Sequence, residues 1–147
     1  MHLTLLGTGL PFINPKRRGP AYLIRAGEVS FMVDCGSGAM HRLYEAGARP
    51  SDINHMFITH LHMDHYIDLG HFILMRWIHR SDEPLHLYGS QGLQRMVDLL
   101  LEMHGPDVEL RQITRAFPRP APNVIVHEIS EGPILETPNG LKVSAFH

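Results

Sequence analysis

The chain has 147 residues, 44% of them hydrophobic and 19% charged, which suits one domain able to bury a core without disulfides. A net charge of −2 with histidine neutral provides no global basic field, so composition alone names no polyanionic partner. Cys35 is the single cysteine and excludes a disulfide framework; with no apolar run near the roughly 20 residues of a membrane span and no export-type N-terminus, a cytoplasmic protein without a membrane partner is expected.

In chain order, residues 2–6 read as a buried strand that stops at Gly7-Thr8-Gly9. This is no dinucleotide fingerprint, because Phe12 occupies the place of a third glycine and no helical pattern follows. Pro11, Pro15 and Pro20 with Lys16-Arg17-Arg18 make an exposed loop. Residues 22–25 and 29–33 form a hairpin across Ala26-Gly27-Glu28, and Asp34 ends its second strand. Ser37 to Ala46 has helical spacing at Met40, Leu43 and Tyr44, with Gly47 as stop. After a break at Pro50-Ser51-Asp52, residues 53–59 form another strand.

Residues 67–78 are apolar nearly all round and predict a buried helix, in which Trp77 is core in preference to a cleft wall. A short strand at 85–89 precedes an amphipathic helix marked by Leu93, Met96, Val97 and Leu100, with Gly105-Pro106 as its end. Phe117 to Pro122 reads as a proline-rich connector, residues 123–127 as a strand, and Pro138-Asn139-Gly140 as a turn into strand-like Leu141 to Phe146.

One stretch carries chemistry. Thr59-His60-Leu61-His62-Met63-Asp64-His65 collects three imidazoles and a carboxylate directly after an apolar strand, and these are the ligand types that Zn²⁺, Fe and Mn select. His60 and His62, two apart, face one side; Asp64 and His65 follow a turn and reach a second point, so one loop could serve two metals. The bland alternative is chance, since there are 12 histidines. Those elsewhere (His2, His41, His55, His71, His79, His86, His104, His127) lack partner spacing and read as surface or satisfied core rings.

His60-x-His62-x-Asp64-His65, together with Leu5-Leu6-Gly7-Thr8-Gly9 and Met32-Val33-Asp34-Cys35-Gly36, resembles the signature of the metallo-β-lactamase-fold superfamily. The resemblance implies an α/β fold of the α/β/β/α sandwich type. Residues 1–147 would be the N-terminal part of one such domain, its first half. It also implies two divalent ions, zinc before Mn or Fe, with His60 and His62 on one and Asp64 and His65 on the other. The family's second half adds a further His, a bridging Asp and a last His. His147 lies four residues beyond Val143, where the family's third imidazole lies seven beyond the matching valine, so the spacing argues against it as a ligand.

His62 favours a hydrolase over di-iron oxidoreductases, which usually carry Glu there. The Gly-Thr-Gly opening, Asp34-Cys35-Gly36 and Leu87-Tyr88-Gly89 resemble the ribonuclease Z, phosphodiesterase and arylsulfatase group. Ser37-Gly38-Ala39-Met40 replaces the ribonuclease Z continuation and moves weight toward arylsulfatases. The expectation is therefore hydrolysis of a phosphodiester or sulfate ester, in a small molecule or RNA, by a metal-bound hydroxide that Asp64 orients. Asp34 reads equally as a carboxylate steadying a ligand imidazole and as a turn-forming residue. A non-catalytic metal-binding or interaction module, or a lactam or thioester hydrolase, is the alternative. Leu141 to Phe146 is expected on a sheet edge without partner strands, favouring a homo-oligomer.

Overall fold

Strand alternation and helical spacing place two apolar surfaces back to back across one sheet. The computed structural model describes residues 1–79, 81–114, 120–137 and 140–146. Six strands, β1 (His2–Gly7), β2 (Ala21–Ala26), β3 (Val29–Val33), β4 (His55–Phe57), β5 (Leu85–Gly89) and β6 (Val124–Glu128), lie side by side in sequence order. β1, β2 and β3 pair antiparallel, then β3 to β6 run parallel. Helices α1 (Ala39–Glu45), α2 (Leu69–Ile78) and α3 (Leu93–Ile113) supply or accompany the crossovers that parallel pairing requires.

Alternate residues of every strand point to opposite faces. One face carries Leu23, Met32, Met56, Leu85 and Leu87, which bury against Met40 and Leu43 of α1, Leu69 and Phe72 of α2, and Leu93 and Val97 of α3. The other carries Phe31, Phe57 and Tyr88, covered by Ile134, Leu135 and Val143 from a separate two-stranded sheet, β7 (Gly132–Glu136) with β8 (Lys142–Ala145). The order helix layer, sheet, second sheet is the first part of the expected sandwich. Cys35 and Trp77 are buried, and the Trp77 indole N–H donates to the Pro120 carbonyl at 2.7 Å. No helix among the described residues is long and apolar enough to cross a membrane.

Three expectations need correction. Helix α3 continues through Gly105-Pro106 to Ile113. Gly105 does not adopt the left-handed backbone that stops a helix. Pro106 forfeits one hydrogen bond, yet the helix runs on, and Val108 beyond it is buried. Second, β8 has a partner: Gly132-Pro133 concealed β7, whose register slips between Pro133 and Leu135. A bulge is where a residue without an N–H fits a sheet. Third, the strand before the histidine loop is only His55–Phe57, shorter than residues 53–59. The turn at Pro138-Asn139 and part of the Phe117–Pro122 connector lie outside the described residues, as does His147.

The scattered histidines are not all solitary. Parallel pairing sets His55 opposite His86 and Tyr88 opposite His127. The rings stack, with centroids 5.2 Å apart for His55–His86, 5.3 Å for His86–His127 and 4.6 Å for Tyr88–His127. Sequence spacing hid this, because register between strands brings the rings together. Burial first, then His86, His127 and Arg76, lowers the pKa of His55 below its ordinary 6.5; burial and His86 do the same for His127.

The unfolded chain therefore binds protons on these rings at higher pH than the folded chain does, so stability rises with pH in the window just below 6.5. Acidification from pH 7 should lower the urea midpoint progressively, levelling off once pH is below the folded-state values. His55→Gln combined with His127→Gln should flatten that slope, and an unaltered slope would contradict the stack's role.

Candidate metal centre

The parallel strands β3 and β4 end side by side, so the segments leaving them meet. From β4 the chain passes through Ile58 and Thr59 into the histidines, then closes a single 3₁₀ turn at Met63–His65, where the His65 N–H donates to the His62 carbonyl at 3.0 Å. From β3 it enters Asp34-Cys35-Gly36. The two segments are sewn together: the Cys35 N–H donates to the His65 carbonyl at 2.7 Å, and the Asp68 N–H donates to the Cys35 carbonyl at 3.0 Å. Gly36 lies directly on the Asp64 carbonyl and on Gly19, leaving no room for a side chain.

Asp34 is 1% exposed and is the one described non-glycine residue with positive φ, at 60°. That conformation is costly for an L-residue and persists only where surrounding bonds hold it. Here the carboxylate accepts from the Thr59 N–H at 2.8 Å and the Thr59 hydroxyl at 3.0 Å, and lies 2.7 Å from His65 Nδ1. The Thr59 hydroxyl is also 3.1 Å from His60 Nδ1. Burial first, then His65 and His62, lowers the pKa of His60 and favours the neutral ring that a metal requires.

All four proposed ligands gather. His60 Nε2 and His62 Nδ1 are 3.0 Å apart, and the His60 and His65 ring centroids are 4.0 Å apart. His65 Nε2 stands 3.7 Å from Asp64 Oδ2. Two donors at about 2.0–2.1 Å from one tetrahedral zinc are roughly 3.3 Å apart, so each pair has a spacing compatible with sharing an ion. Among the described residues, however, no group of three or more His, Cys, Asp or Glu side chains is arranged to hold an ion. The donor types suit a divalent metal, and each close pair contributes two donors.

Sequence reasoning passed over Thr59, although it stands immediately before the first histidine. Its role depends on Asp34, 25 positions away, which pattern reading could not bring into contact with it. Beside Thr59 opens a cavity of about 640 Å³, walled by Phe31, Phe57 and Tyr88 on the sheet and Ile134 and Val143 on β7 and β8.

Residues 1–117 match the family model described as anti-Pycsar protein Apyc1. The chain is 37% identical over 134 residues to ribonuclease Z of Mycobacterium sp. strain KMS, covering 90% of this chain and 47% of that protein. Among solved structures, human tRNase Z, short form, superimposes with a TM-score of 0.68 and 26% identity over 86% of this chain and 44% of that one. The metallo-β-lactamase fold protein YhfI from Bacillus subtilis gives 0.65 at 19% identity, over 92% and 48%. The chain spans about half the length of the curated relatives it matches.

If Asp34 ties the two segments together, Asp34→Ala should destabilise the chain by at least about 1.5–3 kcal/mol, the worth of one hydrogen bond to a charged group. Urea unfolding measures this, and an unchanged midpoint would show that the carboxylate holds nothing.

Proposed function

The chain belongs to the family described as anti-Pycsar protein Apyc1 and carries the first half of a metallo-β-lactamase fold of the ribonuclease Z branch, and from that premise we propose a metal-dependent hydrolase of phosphodiester bonds. The observation that carries the reading is the opposed pair His60 Nε2 and His62 Nδ1, next to a His65 tethered by Asp34. The relatives' name, ribonuclease Z, favours a phosphodiester over the sulfate ester to which Ser37-Gly38 pointed.

His60 and His62 would hold one divalent ion and Asp64 with His65 another, zinc before Mn or Fe, with further ligands from outside the described residues. Such ions, when bound, supply positive charge to an ester oxygen and make water more acidic. Asp64 orients the attacking water and takes its proton. Asp34 fixes the His65 ring by accepting from Nδ1, which leaves Nε2 as the donor atom. The aromatic cavity beside Thr59 receives the organic part of the ester, in a nucleotide or an RNA end.

A cytoplasmic setting belongs to the same reading, supported by one cysteine that is fully buried, its thiol pKa pushed up by burial. Self-association also belongs to it. Leu3 and Leu5, expected to be buried, are 55% and 58% exposed because β1 is an edge strand, and they form an apolar surface that a second copy would cover.

The test uses the protein extended to the length of its relatives and loaded with zinc, acting on bis(p-nitrophenyl) phosphate and p-nitrophenyl sulfate. The phosphodiester should be the better substrate. Asp64→Ala should cut its turnover by about 10²–10⁴-fold without altering the circular dichroism spectrum. Turnover retained within a few-fold would remove Asp64 from the chemistry, and a zinc-loaded protein inert toward both esters would leave a binding module.

A further inference from the structure

The Thr59 hydroxyl has one proton to give and lone pairs to accept with, and three groups compete for it: Asp34 at 3.0 Å to each carboxylate oxygen, His60 Nδ1 at 3.1 Å and His65 Nδ1 at 3.3 Å. A carboxylate only accepts, so the hydroxyl proton goes to Asp34, where the Thr59 N–H also points at 2.8 Å. His65 Nδ1 has the shorter path to Asp34, at 2.7 Å, and donates there directly. What remains for the hydroxyl oxygen is to accept, and the His60 Nδ1–H is the donor in reach. The proton of His60 is then fixed on Nδ1, and its Nε2 lone pair faces His62 Nδ1 at 3.0 Å.

We propose that Thr59 is a positioning residue that relays the negative charge of Asp34 to a second imidazole, so that one buried carboxylate sets the tautomers of both His60 and His65. Asp34 reaches His65 itself and reaches His60 only through this hydroxyl. The two ligand pairs, on either side of the turn, thereby present Nε2 atoms of the same protonation without a second buried carboxylate. A methyl group in place of the hydroxyl leaves His60 with no acceptor for Nδ1–H, and the ring is then free to carry its proton on Nε2, the atom a metal needs. The tautomer assignment concerns the metal-free chain; its consequence for metal binding rests on the reading of this loop as a metal centre.

Long-range ¹H–¹⁵N correlation spectra of the metal-free chain, at a pH of about 8 where ordinary imidazoles are neutral, read the tautomer of each ring. The unaltered chain should show His60 and His65 both protonated at Nδ1. Thr59→Val should shift His60 toward the Nε2–H form and leave His65 in place, Asp34→Asn should release both His60 and His65, and Thr59→Ser should restore His60. Zinc affinity should fall about 10–100-fold in Thr59→Val and recover to within a few-fold in Thr59→Ser.

A His60 tautomer that ignores Thr59→Val, or a loss at His60 and His65 together with general line broadening, would reduce Thr59 to a structural residue and overturn the proposal. Should Thr59→Val fail to fold, the unaltered chain still decides, since His60 protonated at Nε2 contradicts the relay outright. Tautomers that respond as stated in a chain with no zinc affinity would overturn the metal reading while supporting the relay.

Discussion

Everything at the loop edge depends on one buried carboxylate. Asp34 sits at the end of β3 in a left-handed conformation and is nearly inaccessible to water, which is an expensive combination for a charged L-residue. Its cost is offset by three donors from a segment 25 to 31 positions along the chain, the Thr59 N–H and hydroxyl and the His65 ring. Those bonds place the histidine-bearing loop against the β3 end, and the Cys35 and Gly36 backbone then locks it from both sides. Without the carboxylate, the loop would keep the backbone bonds of its turn at Met63–His65 but lose those that fix Thr59 and the His65 ring.

Topology explains why this happens at one edge. Four neighbouring strands, β3 to β6, run parallel, so their carboxyl ends lie together, and in open α/β sheets that is where connecting loops converge on a site. Helices occupy one face of the sheet and a two-stranded sheet part of the other, so the cluster lies between a rigid packed layer and an aromatic cavity. The same parallel register that delivers Asp34 to Thr59 also stacks His55, His86 and His127 across β4, β5 and β6. Two groups of imidazoles thus arise from one arrangement of strands, with different neighbours: a carboxylate at the loop edge, and aromatic rings and a buried arginine on the sheet face.

What the sequence made legible was local. Short β-rich apolar runs located β1 to β6, helical spacing located α1 and a continuous apolar run located α2, because these signals are contained within a few residues. The His60–His65 motif was legible for the same reason. The extent of α3 was not, since Pro106 looks like a terminator until Val108 is seen to be buried beyond it. Nor was β7, whose Gly132-Pro133 start suppresses a strand pattern that pairing with β8 enforces. Thr59 and the histidine stack were invisible for a third reason: their partners are set by register between strands, and one sequence without a structure carries no register.

The central claim is that the Thr59–His65 loop presents imidazole nitrogens as metal ligands under the control of Asp34. X-ray absorption at the zinc edge tests it most directly, on residues 1–147 given one equivalent of zinc. A nitrogen and oxygen shell at about 2.0–2.1 Å is expected, with imidazole scattering that disappears when His60, His62 and His65 are all changed to Ala. A sulfur shell at about 2.3 Å, or imidazole scattering that survives the triple substitution, would place the metal elsewhere and contradict it.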